Sequence, residues 1–358
     1  MDSDQDPVEQ PVTLNGAGED FGQRIYYTSC QDKGDLELME DRHQIAFFDV
    51  EESPFDDQLG FSTAFFAIFD GHEGSEAATY VESRLLELIT SNKHFNSDDD
   101  TQILKAIKKG YTKLQKDMKF HWMNNWPKSK CGNPSVSGTT ASVVLIKNGK
   151  LYVVHVGDSA IVLGYQDPES PVWKAETLTK DHLADSPVEL KRIEHCGGKV
   201  KMDKNNGIPK VIWKQPQLAP DRGDGGHGYL TRTSTVEPTP FLHLARCLGA
   251  FWSYNPEREE YIISSEPDTM VVTLDSSKHR CLVLGSKGLW NVLPAEKVVH
   301  LIYSLEWNND RRRKNARKEG RKCYNLIHHS GRLVSRVKHK CGVSKQEADN
   351  ISVIVVVF

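Results

Sequence analysis

The chain has 358 residues, 38 % hydrophobic and 26 % charged, with a formal net charge of −4; that suits one large globular domain or two ordinary ones and excludes a dedicated nucleic-acid binder, which would be strongly basic. No apolar run reaches the ~20 residues that cross a bilayer, so no membrane partner is expected, and the acidic start MDSDQDPVEQPVTLNGAGED carries no secretory signal. Seven scattered cysteines without a CxxC pair point to free thiols in a reducing compartment, the nucleus or the cytoplasm.

Residues 1–21 are polar, acidic and turn-rich and are expected to be disordered, with one domain from 22 to 358. The apolar run Ala64–Phe69 stops at Asp70-Gly71-His72 and predicts a buried strand running into a tight loop. Ala77, Val81, Leu85, Leu88 and Ile89 recur at helical spacing, and Ile103, Leu104, Ile107, Tyr111 and Leu114 predict a second amphipathic helix over about 101–119. Between Ala141–Ile146 and Leu151–Val156 lies Lys147-Asn148-Gly149-Lys150, where Asn-Gly suits a type I′ turn and predicts a hairpin ending at Gly157-Asp158-Ser159. Asp185-Ser186-Pro187 opens a helix that stops at Gly197-Gly198. Residues 199–236 are irregular and rich in Gly, Pro, Lys and Trp, with a tip at 221–226, and predict an inserted flap. Cys281–Leu284 predicts another buried strand running into Gly285-Ser286-Lys287-Gly288, a helix follows over about 294–305, and Ile351–Phe358 is a terminal strand just after Asp349-Asn350. Mixed strands and helices with hairpins predict an α+β layered domain.

Asp70, Asp158 and Asp349 each stand where an apolar strand stops or starts, and Lys287 occupies the same kind of place. Any one of them reads as an ordinary turn residue. As a set they gather oxygen ligands of the kind that Mg²⁺ and Mn²⁺ prefer, and two such ions can activate a water and clamp a phosphate.

Met39-Glu40-Asp41, Phe69-Asp70-Gly71-His72, Ser137-Gly138-Thr139-Thr140-Ala141, Val156-Gly157-Asp158-Ser159 and Asp349-Asn350-Ile351-Ser352-Val353 resemble, in order, the motifs of the metal-dependent protein phosphatase family, the protein phosphatase 2C type. The resemblance runs from about residue 22 to the end of the chain. Trp126-Pro127-Lys128, Val211-Ile212-Trp213-Lys214, Leu248-Gly249 before Trp252-Ser253-Tyr254, and Gly288-Leu289-Trp290-Asn291 look like the damage-responsive subfamily that acts on checkpoint kinases and p53-pathway proteins. The resemblance implies a β-sandwich of two antiparallel sheets flanked by α-helices, with two Mg²⁺ or Mn²⁺ ions at one end. It also implies roles. Asp70 would bridge the ions, Gly71 would donate its carbonyl, and Asp349 would bind the second ion. Glu40 and Asp41 would hold metal-bound water, His72 would be the general acid, and Asp158 would belong to a weaker third metal position.

Three positions depart from the family pattern. Its DG aspartate, a metal ligand, is Lys287; the arginine expected three residues before the MED methionine is Leu36; the aspartate ending its ALGD motif is Ala250. Exchanging a carboxylate for an ammonium changes the local charge by two units, and leucine offers no bidentate grip on phosphate. Without metal, Lys287 is expected to pair with Asp70 and Asp349 as a built-in counter-ion.

The basic run Asp310–Lys322 reads either as an import signal or acidic-partner patch, or as a solvated helical face. Lys199, Lys201, Lys204, Lys210, Lys214, Arg222 and Arg232 make the flap basic, reading as a substrate-facing loop or a mobile insert. His43, His155 and His182 are expected to be structural, and Cys247 and Cys281 buried and inert. Two functional expectations follow. One is a monomeric pseudophosphatase or impaired phosphatase that binds a phosphorylated protein or a protein kinase, with no ion bound. The other is a working Mn²⁺/Mg²⁺ serine/threonine phosphatase.

Overall fold

A computed structural model describes residues 12–15, 24–48, 51–52, 59–60, 62–125, 136–170, 172–204, 206–213, 242–321 and 326–358. In chain order the main elements are β1 (Val12–Asn15), β2 (Arg24–Asp32), β3 (Arg42–Phe48), β4 (Thr63–Phe69), α1 (Glu76–Thr90), α2 (Asp100–Asn125), β5 (Ala141–Lys147), β6 (Lys150–Val156), β7 (Ala160–Gln166) and β8 (Trp173–Thr177). There follow α3 (Pro187–His195), β9 (Asp268–Thr273), β10 (His279–Gly285), α4 (Lys287–Trp290), α5 (Ala295–Lys318), α6 (His329–Ser344) and β11 (Ile351–Val357).

Two antiparallel sheets form a sandwich. One has six strands in the order β1-β2-β11-β10-β7-β8, the other five in the order β9-β6-β5-β4-β3. Strand periodicity explains why β4 is apolar throughout. Ala64, Phe66 and Ile68 face the core between the sheets with Val144, Leu163, Leu284 and Ile354. Phe65, Ala67 and Phe69 face the other way and pack under α1 and α2, against Val81, Leu85, Ile107 and Tyr111. Cys281, Val283, Val353 and Val355 do the same beneath α5 and α6, meeting Val298, Ile302, Leu333 and Val337. The expected sandwich flanked by helices is therefore the observed fold, and each central strand is hydrophobic because helices cover both outer faces.

The hairpin forms as read: β5 and β6 pair Lys147 with Lys150, and Asn148 and Gly149 have φ of 51° and 66°. Gly149→Ala is expected to cost about 1 kcal/mol, because a Cβ disfavours that left-handed angle; urea unfolding measures it.

Several sequence readings need correction. Val12–Asn15, inside the stretch expected to be disordered, pairs antiparallel with β2. Composition registers net polarity and overlooks a short Val-Thr-Leu segment beside an open sheet edge. The start of the flap is ordered: Lys199–Met202 and Pro209–Ile212 pair as a hairpin packed on α3 through Val211 and Ile193. The flap tip at 221–226, with Lys214, Arg222 and Arg232, lies outside the described residues, as does Trp126-Pro127-Lys128. Helix α2 extends to Asn125, and α5 continues to Lys318, carrying most of the basic run as a largely exposed helical face. Helix α6 was not read from the sequence, because its buried apolar residues, Leu333, Val334, Val337 and Cys341, are interleaved with five basic side chains, Arg332, Arg336, Lys338, His339 and Lys340. Ser186 does stand before Pro187 at the start of α3, but its side chain makes no capping bond.

Candidate metal centre and its displaced cation

The acids come together at one end of the sandwich, where β4, β6, β10 and β11 turn. Asp70 leaves β4 with its main chain pinned to the neighbouring turn: its N–H donates to Thr140 Oγ1 at 3.2 Å, and its carbonyl accepts from Thr140 N–H at 2.9 Å and Thr139 Oγ1 at 3.1 Å. Gly71 and His72 then pair with Gly138–Thr139, which pairs with Leu248–Gly249. A Cβ on Gly71 would lie 2.4 Å from the Glu40 carbonyl oxygen, so only glycine lets these two segments meet. Asn350 holds the same loop to β11: it donates to the carbonyls of Lys33 (2.9 Å) and Leu38 (3.0 Å) and accepts from Glu40 N–H at 2.7 Å. Sequence reasoning gave Asn350 no role of its own. Leu36 lies in this loop, half-buried and without a polar side-chain atom.

Electrostatics divide the site in two. On one side Asp41 is buried and neither carboxylate oxygen has a hydrogen-bond partner at bonding distance, although the Ser352 and Ser286 hydroxyls stand near enough to favour its anion. Burial wins and pushes its carboxyl well above the usual range, with Asp349 adding to the rise. Asp70 is raised likewise, first by burial and then by the charges of Asp41 and Asp158, despite accepting Lys287 N–H at 2.9 Å. Glu40 is raised by burial, and its Oε1 accepts Gly74 N–H at 2.9 Å. On the other side Asp158 is also buried, but its carboxyl is held below the ordinary range. Desolvation opposes this and is outweighed by His243 Nε2 at 3.0 Å and Lys287 Nζ at 2.9 Å, both on Oδ2.

This corrects the expected place of Lys287. Its ammonium does not pair with Asp70 or Asp349. Only its backbone N–H reaches Asp70, as the first residue of α4, while the side chain crosses to Asp158 and touches His243 Nε2. The main chain fixes the direction: a helix's first N–H groups point back toward the strand end they follow, and the side chain departs elsewhere. His243 was missed by sequence reasoning because it follows the insert, outside every motif. His72 keeps both ring nitrogens away from solvent and without hydrogen-bond partners. Burial, then His243, lowers its basicity to about 4, so near neutral pH the ring is uncharged. Ala250 is fully buried with φ of 49°, a left-handed angle that costs a non-glycine residue energy.

Do these groups fit two divalent ions? Asp41 offers two unsatisfied oxygens, and Asp70, Glu40, Asp349 and the Gly71 carbonyl stand in the same region. Yet among the described residues no group of three or more His, Cys, Asp or Glu side chains is gathered as ligands. The Asp158 side already holds its cation, covalently attached to α4. On the Asp158 side, therefore, the residues present do not fit a divalent ion while Lys287 stays in place.

Of the histidines expected to be structural, His155 and His182 behave so. His155 and His182 stack at 5.2 Å; His155 bonds Ser142 Oγ and the Gly157 carbonyl, and His182 accepts Gly157 N–H at 3.1 Å. Cys247 and Cys281 are buried, and burial pushes the Cys281 thiol up to about 12.

The chain is similar to known proteins over most of its length. The family model described as protein phosphatase 2C matches residues 27–325. A protein phosphatase 2C of Caenorhabditis elegans, itself named as probable, is 27 % identical over 300 residues, 83 % of this chain and 67 % of that protein. "Probable protein phosphatase 2C member 13, mitochondrial" of rice (Oryza sativa subsp. japonica) is 29 % identical over 343 residues, 96 % and 70 %. The "Protein phosphatase 1B" of Mus musculus is 29 % identical over 258 residues, covering 69 % of this chain and 55 % of that protein. A crystal structure of a serine-threonine phosphatase 2C from Toxoplasma gondii superposes with a TM-score of 0.64 at 23 % identity, covering 98 % of this chain and all of that one.

Proposed function

The chain belongs to the protein phosphatase 2C family, and from that premise we propose that it is a serine/threonine phosphatase homologue of low or no turnover, which binds a phosphorylated protein or a protein kinase. The observation that carries this reading is the ion pair of Lys287 Nζ with Asp158 Oδ2 at 2.9 Å, inside the acid cluster. An ammonium there supplies charge neutralisation, which a metal would otherwise supply, but it cannot accept a water as a ligand or lower its pKa as a divalent ion does. Leu36 withdraws the second requirement, a forked cation for the phosphate. His72 is uncharged near neutral pH and aligned with no partner, so it holds no proton ready for a leaving alkoxide. What survives is recognition: the exposed lysines of the Lys199–Met202 hairpin offer charge to a phosphorylated segment. The motifs at Val211-Ile212-Trp213 and Gly288-Leu289-Trp290-Asn291 favour the damage-responsive subfamily, with a nuclear or cytoplasmic setting.

Glu40, Asp41, Asp70 and Asp349 support a second reading, an active Mn²⁺- or Mg²⁺-dependent phosphatase in which Lys287 swings into solvent. One assay separates the two. Purified protein with millimolar Mn²⁺ and a phosphothreonine peptide is expected to release phosphate at or little above the rate of the blank. Metal-dependent release at an ordinary enzymatic rate, about 1 s⁻¹ or more, that Asp70→Asn abolishes establishes the second reading instead.

A further inference from the structure

We propose that the groove between α5 and α6, away from the acid cluster, is a docking site for an acidic amphipathic peptide segment of a partner protein. The groove encloses about 850 Å³. Its floor is apolar: Leu293, Leu301, Leu305 and Ile327 line it. Its walls are basic. Arg332, Arg336 and Lys340 stand one helical turn apart on α6, about 6 Å between neighbours along the axis, and Lys297 faces them from α5. Glu296 is the one carboxylate in the lining.

Several arginines elsewhere in the fold are paired. Arg192 and Arg246 share Glu189, Arg313 holds Glu306, and Arg84 holds Glu87. Lys297, Arg332 and Arg336 make no side-chain hydrogen bond or ion pair with any described residue, and Lys340 spends its ammonium on the Val292 carbonyl at 2.6 Å. Charges left unpaired around an apolar floor suit a ligand that brings both carboxylates and aliphatic side chains. A helix with acids at i, i+4 and i+8 matches the spacing of Arg332, Arg336 and Lys340, and its leucines reach Leu301 and Leu305. Nucleic acid fits worse, since the groove is lined by no Phe, Tyr or Trp, only by the imidazoles of His300 and His339, and the chain as a whole carries −4. A bilayer fits worse too, because the apolar residues lie at the bottom of the groove rather than project from it.

This inference does not rest on the reading of Lys287, because its test measures binding alone. The probe is a fluorescein-labelled synthetic helical peptide with three glutamates one turn apart and leucines on the adjoining face, followed by fluorescence anisotropy against the full chain. A shuffled peptide of the same composition, a thymidine oligonucleotide, and mixed phosphatidylcholine–phosphatidylserine vesicles are the comparisons. The patterned peptide is expected to bind saturably and more weakly as salt rises. Arg332→Glu with Arg336→Glu should weaken it about tenfold, as loss of two modest ion pairs implies. Lys297→Glu should weaken it in the same direction. All three positions are exposed, so the variants should melt like the parent. Absent binding, equal binding of the shuffled peptide, parent-like binding by both variants, or tighter binding of the oligonucleotide or vesicles overturns the proposal.

Discussion

Lys287→Asp is expected to bind Mn²⁺ about a thousandfold more tightly than the parent, read by titration calorimetry on the two proteins side by side. The magnitude follows from what the ammonium does to an incoming divalent cation. At ~4 Å and an effective dielectric near 20, the repulsion is roughly 8 kcal/mol. The lysine can relieve that repulsion only by swinging its ammonium away toward solvent. In this fold it must also surrender Asp158 and His243. The variant removes the repulsion, adds a ligand and releases Asp158 together. It has an opposite effect without metal: Asp158 loses its counter-ion beside Asp70 and gains a third acid, so the metal-free variant should melt several degrees below the parent and recover when Mn²⁺ is added. Leu36→Arg in the same background tests the phosphate grip, and phosphothreonine hydrolysis should appear only in the double variant or be strongest there. Equal Mn²⁺ affinity in parent and Lys287→Asp would refute this account of the lysine.

Glu306→Ala is expected to destabilise the fold by about 3 kcal/mol at pH 7, measured by urea unfolding, because it removes the buried carboxylate that Arg313 and Tyr26 hold. Glu306 is buried between β2, α5 and α6. It accepts from the Tyr26 hydroxyl and from Arg313 Nη1 at 2.5 Å, and His329 Nε2 lies 3.0 Å away, at an angle too poor for a hydrogen bond. The Arg313 guanidinium also covers the Tyr26 ring at 4.9 Å. Desolvation raises the carboxyl, and these partners outweigh it, holding the group at about 2 instead of 4.5. The sign follows from linkage. The unfolded chain takes up the proton first, so the contribution is complete above pH 4.5 and is lost as pH falls from there toward 2, an interval worth about 3 kcal/mol. Parent and Glu306→Gln should therefore converge in stability toward pH 2; a gap independent of pH would rule out the charge as its source.

Much of this was legible in the residues. The run Ala64–Phe69, the Asn148-Gly149 turn and the terminal strand were readable because strand period and turn stereochemistry are local properties. Helix α6 was not, because its buried face emerges only against β2 and β11. Arg313 shows the same limit within the basic run: sequence marks it as one of several exposed charges, whereas the fold turns it inward onto Glu306.

The sequence by itself determined the layered α+β class, the gathering of acids at strand ends and the intrusion of a lysine among them, since each depends on residue type and spacing along one chain. Only the tertiary structure decided which acid the lysine neutralises. That choice depends on the direction in which α4 leaves β10 and on His243, a residue 44 positions away in sequence that the fold returns to Asp158. Coulomb energy falls with distance in space, and distance in space is set by packing rather than by order along the chain.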